Sequence, residues 1–146
     1  MRQPFADLSG TGARLYGGRW NSPGRPMVYL AADAALAVLE VRVHLDLPPD
    51  LLPPDYVLAN VDFTSLGEPD ESDIFLEHGP TEPLTLLQSR KAGDAWLNEQ
   101  RSLLLRVPSV IVPESANLLL NPVHPLAAKL PSISFRPFAF DSRLFE

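Results

Sequence analysis

The chain has 146 residues, 45% of them hydrophobic, with a formal net charge of −6 and a pI near 5.0. That is enough for one domain with a real core, and too apolar for disorder to be the default. The acidic balance argues against a general nucleic-acid binder, and the absence of cysteine excludes disulfides, thiol catalysis and Cys-based zinc sites and suits a cytoplasmic protein.

No apolar run approaches the length of a membrane span, and the first residues lack a signal-peptide pattern. Sixteen prolines divide the chain into short strands and fixed turns. Residues 1–9 are expected to be frayed or incomplete. Residues 10–45 carry the most information. Gly10, Gly12, Gly17, Gly18 and Gly24 are interleaved with Arg14, Arg19 and Arg25. From Leu8 to Ala32 there is no acidic residue, so this segment is positive in an acidic chain. Glycine lets backbone amides approach a ligand, and arginine offers a planar fork of donors to phosphate or carboxylate. The pattern is expected to be a loop, either a plain one or an anion-binding corner.

Met27–Leu30 reads as a short buried strand. Asp33 is placed to cap a helix running to about His44, with Leu36, Leu39, Val43 and Leu47 as its apolar stripe. Glu40 falls in the middle of that stripe and His44 at its edge. An ionised carboxylate there is costly unless it is paired or lines a solvated cleft. A buried ion pair with Arg19 and a pocket-lining role both fit.

Residues 45–55 hold two Pro-Pro pairs and form an extended connector. Tyr56–Phe63 alternates as a strand with Val57, Ala59, Val61 and Phe63 on its buried face. Residues 64–83 are acid-rich and read as an exposed loop with a turn of helix near Ile74–Glu77. Asp70, Glu71, Asp73 and His78 have no recognised ligand spacing, so no metal is expected. Leu84–Gln88 is short and apolar. Ala92–Gln100 reads as a helix with Trp96 and Leu97 inward, weakened by Gly93. Ser102–Val107 and Val110–Val112 read as strands broken by Pro108-Ser109. Asn117–Leu120 and Ser134–Phe140 follow as strands, with Asn121-Pro122 and His124-Pro125 in the turn between. The sum is a single α+β domain over residues 1–146, a small mixed sheet of short strands with two or three helices.

Taken together, these pieces resemble the RES domain family, toxins of bacterial toxin–antitoxin pairs named for an arginine, a glutamate and a serine. The matching pieces are GGRWNSPG with Arg19, VYL with Tyr29, ALAVLEVRVHL with Glu40, RVPSVIVP with Ser109, and NLLLNPVHP with Asn121 and His124. The closing FAFDSRL is also family-like. Members usually begin with a strand ahead of the loop. Here the chain starts MRQPFADLSG, so that strand is expected to be absent or clipped, leaving a sheet edge unpaired.

The resemblance implies an ADP-ribosyltransferase-like fold that binds NAD as substrate, without a further cofactor, and cleaves the bond between nicotinamide and ribose. The acceptor would be water, inorganic phosphate or a target protein. It also implies restraint by an Xre-type antitoxin that makes the DNA contact itself. Arg19 is then a diphosphate clamp and Tyr29 a face for the nicotinamide ring. Glu40 stabilises the electron-poor ribose that nicotinamide leaves behind. Ser109 offers a hydrogen bond to the ligand, and no Ser-His-Asp context supports acyl transfer. His44 and Asn121 are further ligand-binding candidates, although Asn121 also suits a role in its own turn. Trp20 reads as core, and Arg14 and Arg25 as solvated. Two alternatives stay open: a mono-ADP-ribosyltransferase acting on a protein, and a non-catalytic nucleotide- or peptide-binding module. Oligomeric state is not legible.

Overall fold

The computed structural model describes residues 1–2, 6–63, 70–71, 84–130 and 133–145. Six strands and three α-helices lie among them. The glycine–arginine segment does not begin as a loop. Helix α1 (Thr11–Tyr16) occupies its first third, and the Gly17 amide closes it on the Ala13 carbonyl at 2.8 Å. Strand β1 (Val28–Ala31) follows one residue later than the sequence suggests. Helix α2 (Ala34–Arg42) is capped as expected, the Asp33 carboxylate accepting from the Leu36 amide at 2.9 Å.

The expected stripe of α2 is corrected. Leu36 is buried, but Leu39, Val43 and Leu47 are exposed. The helix stops at Arg42, so Val43 and Leu47 do not extend its face, and the sheet is covered from elsewhere. Glu40 is therefore half-buried and avoids the full cost of a core carboxylate.

Strand β2 (Val57–Asn60) pairs antiparallel with β6 (Ser134–Pro137), Leu58 opposite Arg136. Residues 1 and 2 are not frayed. The Met1 ammonium donates to the Val57 carbonyl at 3.0 Å, Arg2 bridges Tyr56, and the Arg2 guanidinium pairs with Asp55. Behind β6, Tyr56, Phe138, Phe140 and Phe145 stack edge to face, and the Arg42 guanidinium lies 4.2 Å over the Phe145 ring.

The larger sheet has the order β1-β5-β4-β3, with β3 (Asp70–Glu71), β4 (Leu104–Pro108) and β5 (Ala116–Leu120). It is mixed: β3 runs parallel to β4, and the other pairs are antiparallel. Val110–Val112 is not a strand but part of a turn, because the Ile111 and Val112 amides point at the Ser109 hydroxyl. The expected helix near Ile74–Glu77, and Asp73 and His78, lie outside the described residues.

Helix α3 (Leu86–Glu99) starts six residues before the expected start at Ala92. Thr85 and Gln88 form a reciprocal capping box at its start, the Gln88 amide donating to the Thr85 hydroxyl and the Thr85 amide to the Gln88 side chain. Its Trp96 and Leu97 pack with Trp20, Met27, Leu105, Val107 and Leu119 on one face of the sheet. Val28, Leu103, Leu104 and Leu120 form the second core on the other face. Each side of the sheet thus has its own apolar layer, as alternation along β1, β4 and β5 requires.

Candidate active site

β5 lies between β1 and β4, and its register decides which side chains share a face. Ala31 is opposite Asn117, and Tyr29 is opposite Leu119. On the other side Val107 is opposite Asn117. Tyr29, Asn117 and Val107 therefore point to the face that α3 covers, with Ser109 two residues beyond Val107. Asn117 stands near the start of β5, and the Glu40 carboxylate of α2 reaches it there.

The Glu40 carboxylate is held by two donors. The Ser109 hydroxyl donates to Oε1 at 2.9 Å, and the Asn117 amide Nδ2 donates to the same oxygen at 2.6 Å. Ser109 is buried, and its oxygen accepts from the Ile111 and Val112 amides, each at 3.2 Å. With its lone pairs engaged, the hydroxyl has its one proton to give, and Glu40 receives it. No partner of Oε2 is found among the described residues. The Ser109 turn thus works as a fixed donor and the carboxylate as an oriented acceptor.

Tyr29 is built differently. Its hydroxyl donates to Asn21 Oδ1 at 2.7 Å and accepts from the Trp20 amide at 2.9 Å. A Cβ on Gly18 would come within 2.4 Å of that hydroxyl, so the close approach depends on glycine there. The hydroxyl end is enclosed while the residue as a whole remains 39% exposed, which leaves ring surface open. Burial pushes the phenol up to about 12, against the opposing effect of its hydrogen bonds. The hydroxyl is thus occupied in holding residues 18–21.

Asn21 is the hub of that turn. It is fully buried, and its Nδ2 donates to the carbonyls of Ala13 at 2.8 Å and Arg25 at 2.9 Å. Asp94 of α3 fixes the turn from outside, accepting from the Ser22 amide at 3.0 Å and the Ser22 hydroxyl at 2.6 Å. Arg25 is not simply solvated, as its sequence context suggests: it pairs with Asp94 at 3.5 Å and donates to Asn98. Arg90 Nε donates to the Gly18 carbonyl at 2.9 Å. Trp20 is buried in the core, in line with the sequence.

Arg19 does not pair with Glu40. Its Nη2 donates to the Leu84 carbonyl at 2.8 Å. Asn121 is fully buried; its Oδ1 accepts from the Val123 amide at 3.1 Å and its Nδ2 reaches the Leu97 carbonyl at 3.5 Å. It lies at the opposite end of β5 from Asn117, about 13 Å along the strand, so the fold does not bring it to Glu40. His44 is exposed beyond the end of α2. His124 caps a short 3-10 turn, its Nδ1 accepting from the Leu126 amide at 3.1 Å.

Of the sequence candidates, Glu40 and Ser109 are in direct contact and Tyr29 shares their sheet face. Arg19 stands one residue from the Trp20 amide that Tyr29 holds. Sequence reasoning missed Asn117, Asn21, Arg90 and Asp94. Asn117 carried a weak signal, a polar residue opening an apolar strand; the others become visible only through tertiary contacts. Among the described residues, no group of three or more His, Asp or Glu is placed to hold a metal, and no helix is long and apolar enough to cross a membrane.

Known proteins resemble this chain over most of its length. The family model of the RES domain matches residues 2–141. A Sphingobium sp. protein, "Prs ADP-ribosylating toxin", is 39% identical over 146 aligned positions, covering 94% of this chain and 86% of the relative. "Toxin Res" of Pseudomonas putida is 37% identical, covering 97% of this chain and 94% of the relative. A chain of the crystal structure of the M. tuberculosis MbcT–MbcA toxin–antitoxin complex has the same fold, with a TM-score of 0.59 and 17% identity over 94% of this chain and 81% of that one.

Proposed function

The chain belongs to the RES domain family, and from that premise we propose that it is the toxin of a type II toxin–antitoxin pair that consumes NAD. The reaction breaks the bond between the ribose C1′ and the nicotinamide nitrogen. The bonding electrons leave with nicotinamide, and the ribose is left with oxocarbenium character. Water or inorganic phosphate then bonds to C1′, its proton passing to solvent, and ADP-ribose leaves free or as its phosphate.

The observation that carries this reading is the Glu40 carboxylate, on the same sheet face as the Tyr29 ring. Its Oε1 is engaged by Ser109 and Asn117, and its Oε2 has no partner among the described residues. A fixed negative charge beside an electron-poor ribose stabilises the transition state more than the ground state. Tyr29 offers its ring to the nicotinamide. Arg19, with one nitrogen on the Leu84 carbonyl, has further donors for the diphosphate.

In this reading the protein acts in the cytoplasm and is restrained by a cognate antitoxin of the Xre type that covers this face. The names of the relatives and the toxin–antitoxin complex with the same fold support an antitoxin partner. The name of the Sphingobium relative favours a second reading, transfer of ADP-ribose to a protein side chain. Chromatography of the products from NAD, with and without inorganic phosphate, tests both. ADP-ribose or its 1″-phosphate with free nicotinamide supports consumption. Label transferred only to an added protein supports the second reading. Intact NAD under every condition refutes both.

A further inference from the structure

We propose that Asn117 is a positioning residue for Glu40, fixing which carboxylate oxygen faces the reacting ribose. This rests on the NAD-consuming reading and adds a residue to it.

Asn117 belongs to β5, the central partner of β1 and β4, so its backbone is held on both sides. Its Nδ2 donates to Glu40 Oε1 at 2.6 Å. Its Oδ1 is buried and has no hydrogen-bond partner among the described residues. A buried amide oxygen without a partner is costly, and an apolar residue of the same shape would avoid that cost. Turning the amide over would place Oδ1 against the carboxylate, oxygen facing oxygen. The orientation is therefore set by what Glu40 needs and not by what Asn117 gains.

Ser109 alone would leave the carboxylate free to pivot about a single hydrogen bond. Two donors converging on Oε1, one from β5 and one from the turn after β4, remove that freedom. Oε2 becomes the working oxygen because Oε1 is saturated. Asn117 touches no reacting atom in this scheme and acts through Glu40.

The test is Asn117→Leu, which keeps the volume and removes the donor. Nicotinamide release should lose about 100-fold in kcat, with KM within about threefold. The melting temperature should hold or rise, because the orphaned oxygen is gone. In the Glu40→Gln background the same substitution should change the residual rate by less than about threefold, since its effect passes through Glu40. A merely structural Asn117 predicts the reverse, a lower melting temperature and additive losses.

A second measurement does not depend on turnover. The Asn117 side-chain amide resonances should move when Glu40 is replaced by Ala. If wild-type protein released no nicotinamide, the NAD reading would fall, while the amide resonances would still decide whether Asn117 holds Glu40. Unmoved resonances, or wild-type kcat in Asn117→Leu, would overturn the inference.

Discussion

Gly93 of α3 lies directly against the carbonyl oxygen of Trp20, so close that a Cβ at that position would come within 1.8 Å of it. The close approach presses α3 onto the turn that carries Arg19 and receives the Tyr29 hydroxyl. A glycine in mid-helix normally costs about 1 kcal/mol relative to alanine. Here it is the residue that permits the packing. Gly93→Ala should therefore destabilise the protein, by about 2 kcal/mol or more, where a free helix would be stabilised. A lower denaturation midpoint with an unchanged m-value checks it.

Asp94, the next residue, receives both the amide and the hydroxyl of Ser22 and pairs with Arg25. Asp94→Ala leaves the Ser22 amide without its acceptor and should cost about 2 kcal/mol. The Arg19 turn is then less restrained, so KM for NAD should rise as stability falls. An Asp94→Ala protein with wild-type stability would show that Asn21, Tyr29 and Arg90 hold the turn without it.

The Tyr29 phenol gives a pH dependence of defined sign. Its value in the folded protein is raised from 10.0 to about 12, mainly by burial. The unfolded chain therefore ionises first. Stability from this group is complete below the unfolded value of 10.0 and is lost as pH rises from there towards about 12. Tyr29→Phe should flatten that part of the stability curve. It should also lower stability at neutral pH, since the Trp20 amide and Asn21 Oδ1 lose their shared partner. If the ring is what meets NAD, binding of NAD should be retained.

Arg19→Ala should leave the fold nearly intact, because it deletes a side-chain hydrogen bond to the Leu84 carbonyl and no ion pair with Glu40. If Arg19 clamps the diphosphate, KM should rise about tenfold or more, the factor that ~1.4 kcal/mol of binding represents. Steady-state kinetics beside a melting curve separates the two effects.

The parts of this architecture legible in sequence are those written in local pattern. The Asp33 cap, the strands around Tyr29 and Asn117, and the family-like pieces around Glu40 and around Ser109 are each short-range signals. Helix α1 is hidden because the glycines on both sides of Thr11–Tyr16 imitate a loop. The first half of α3 is hidden because Leu84–Gln88 looks like a plain apolar run, although its T-x-x-Q pattern is a capping signal. The apolar spacing of Leu36, Leu39, Val43 and Leu47 misleads, since the helix ends before the stripe does and most of it stays exposed. At the site, Glu40 and Ser109 are 69 residues apart and Glu40 and Asn117 are 77. Periodicity carries no information over such distances; only the β4–β5–β1 register does.

In the proposed reaction, nicotinamide release depends on the charge that Glu40 supplies. The direct measurement is nicotinamide released from NAD by purified wild-type protein and by Glu40→Gln, each with and without inorganic phosphate, with NAD affinity and melting temperature measured on both. Wild type should release nicotinamide, while Glu40→Gln should keep NAD affinity and melting temperature close to wild type and lose most of its turnover, about 100-fold or more. Full turnover by Glu40→Gln would rule out this role for Glu40, whatever the fold.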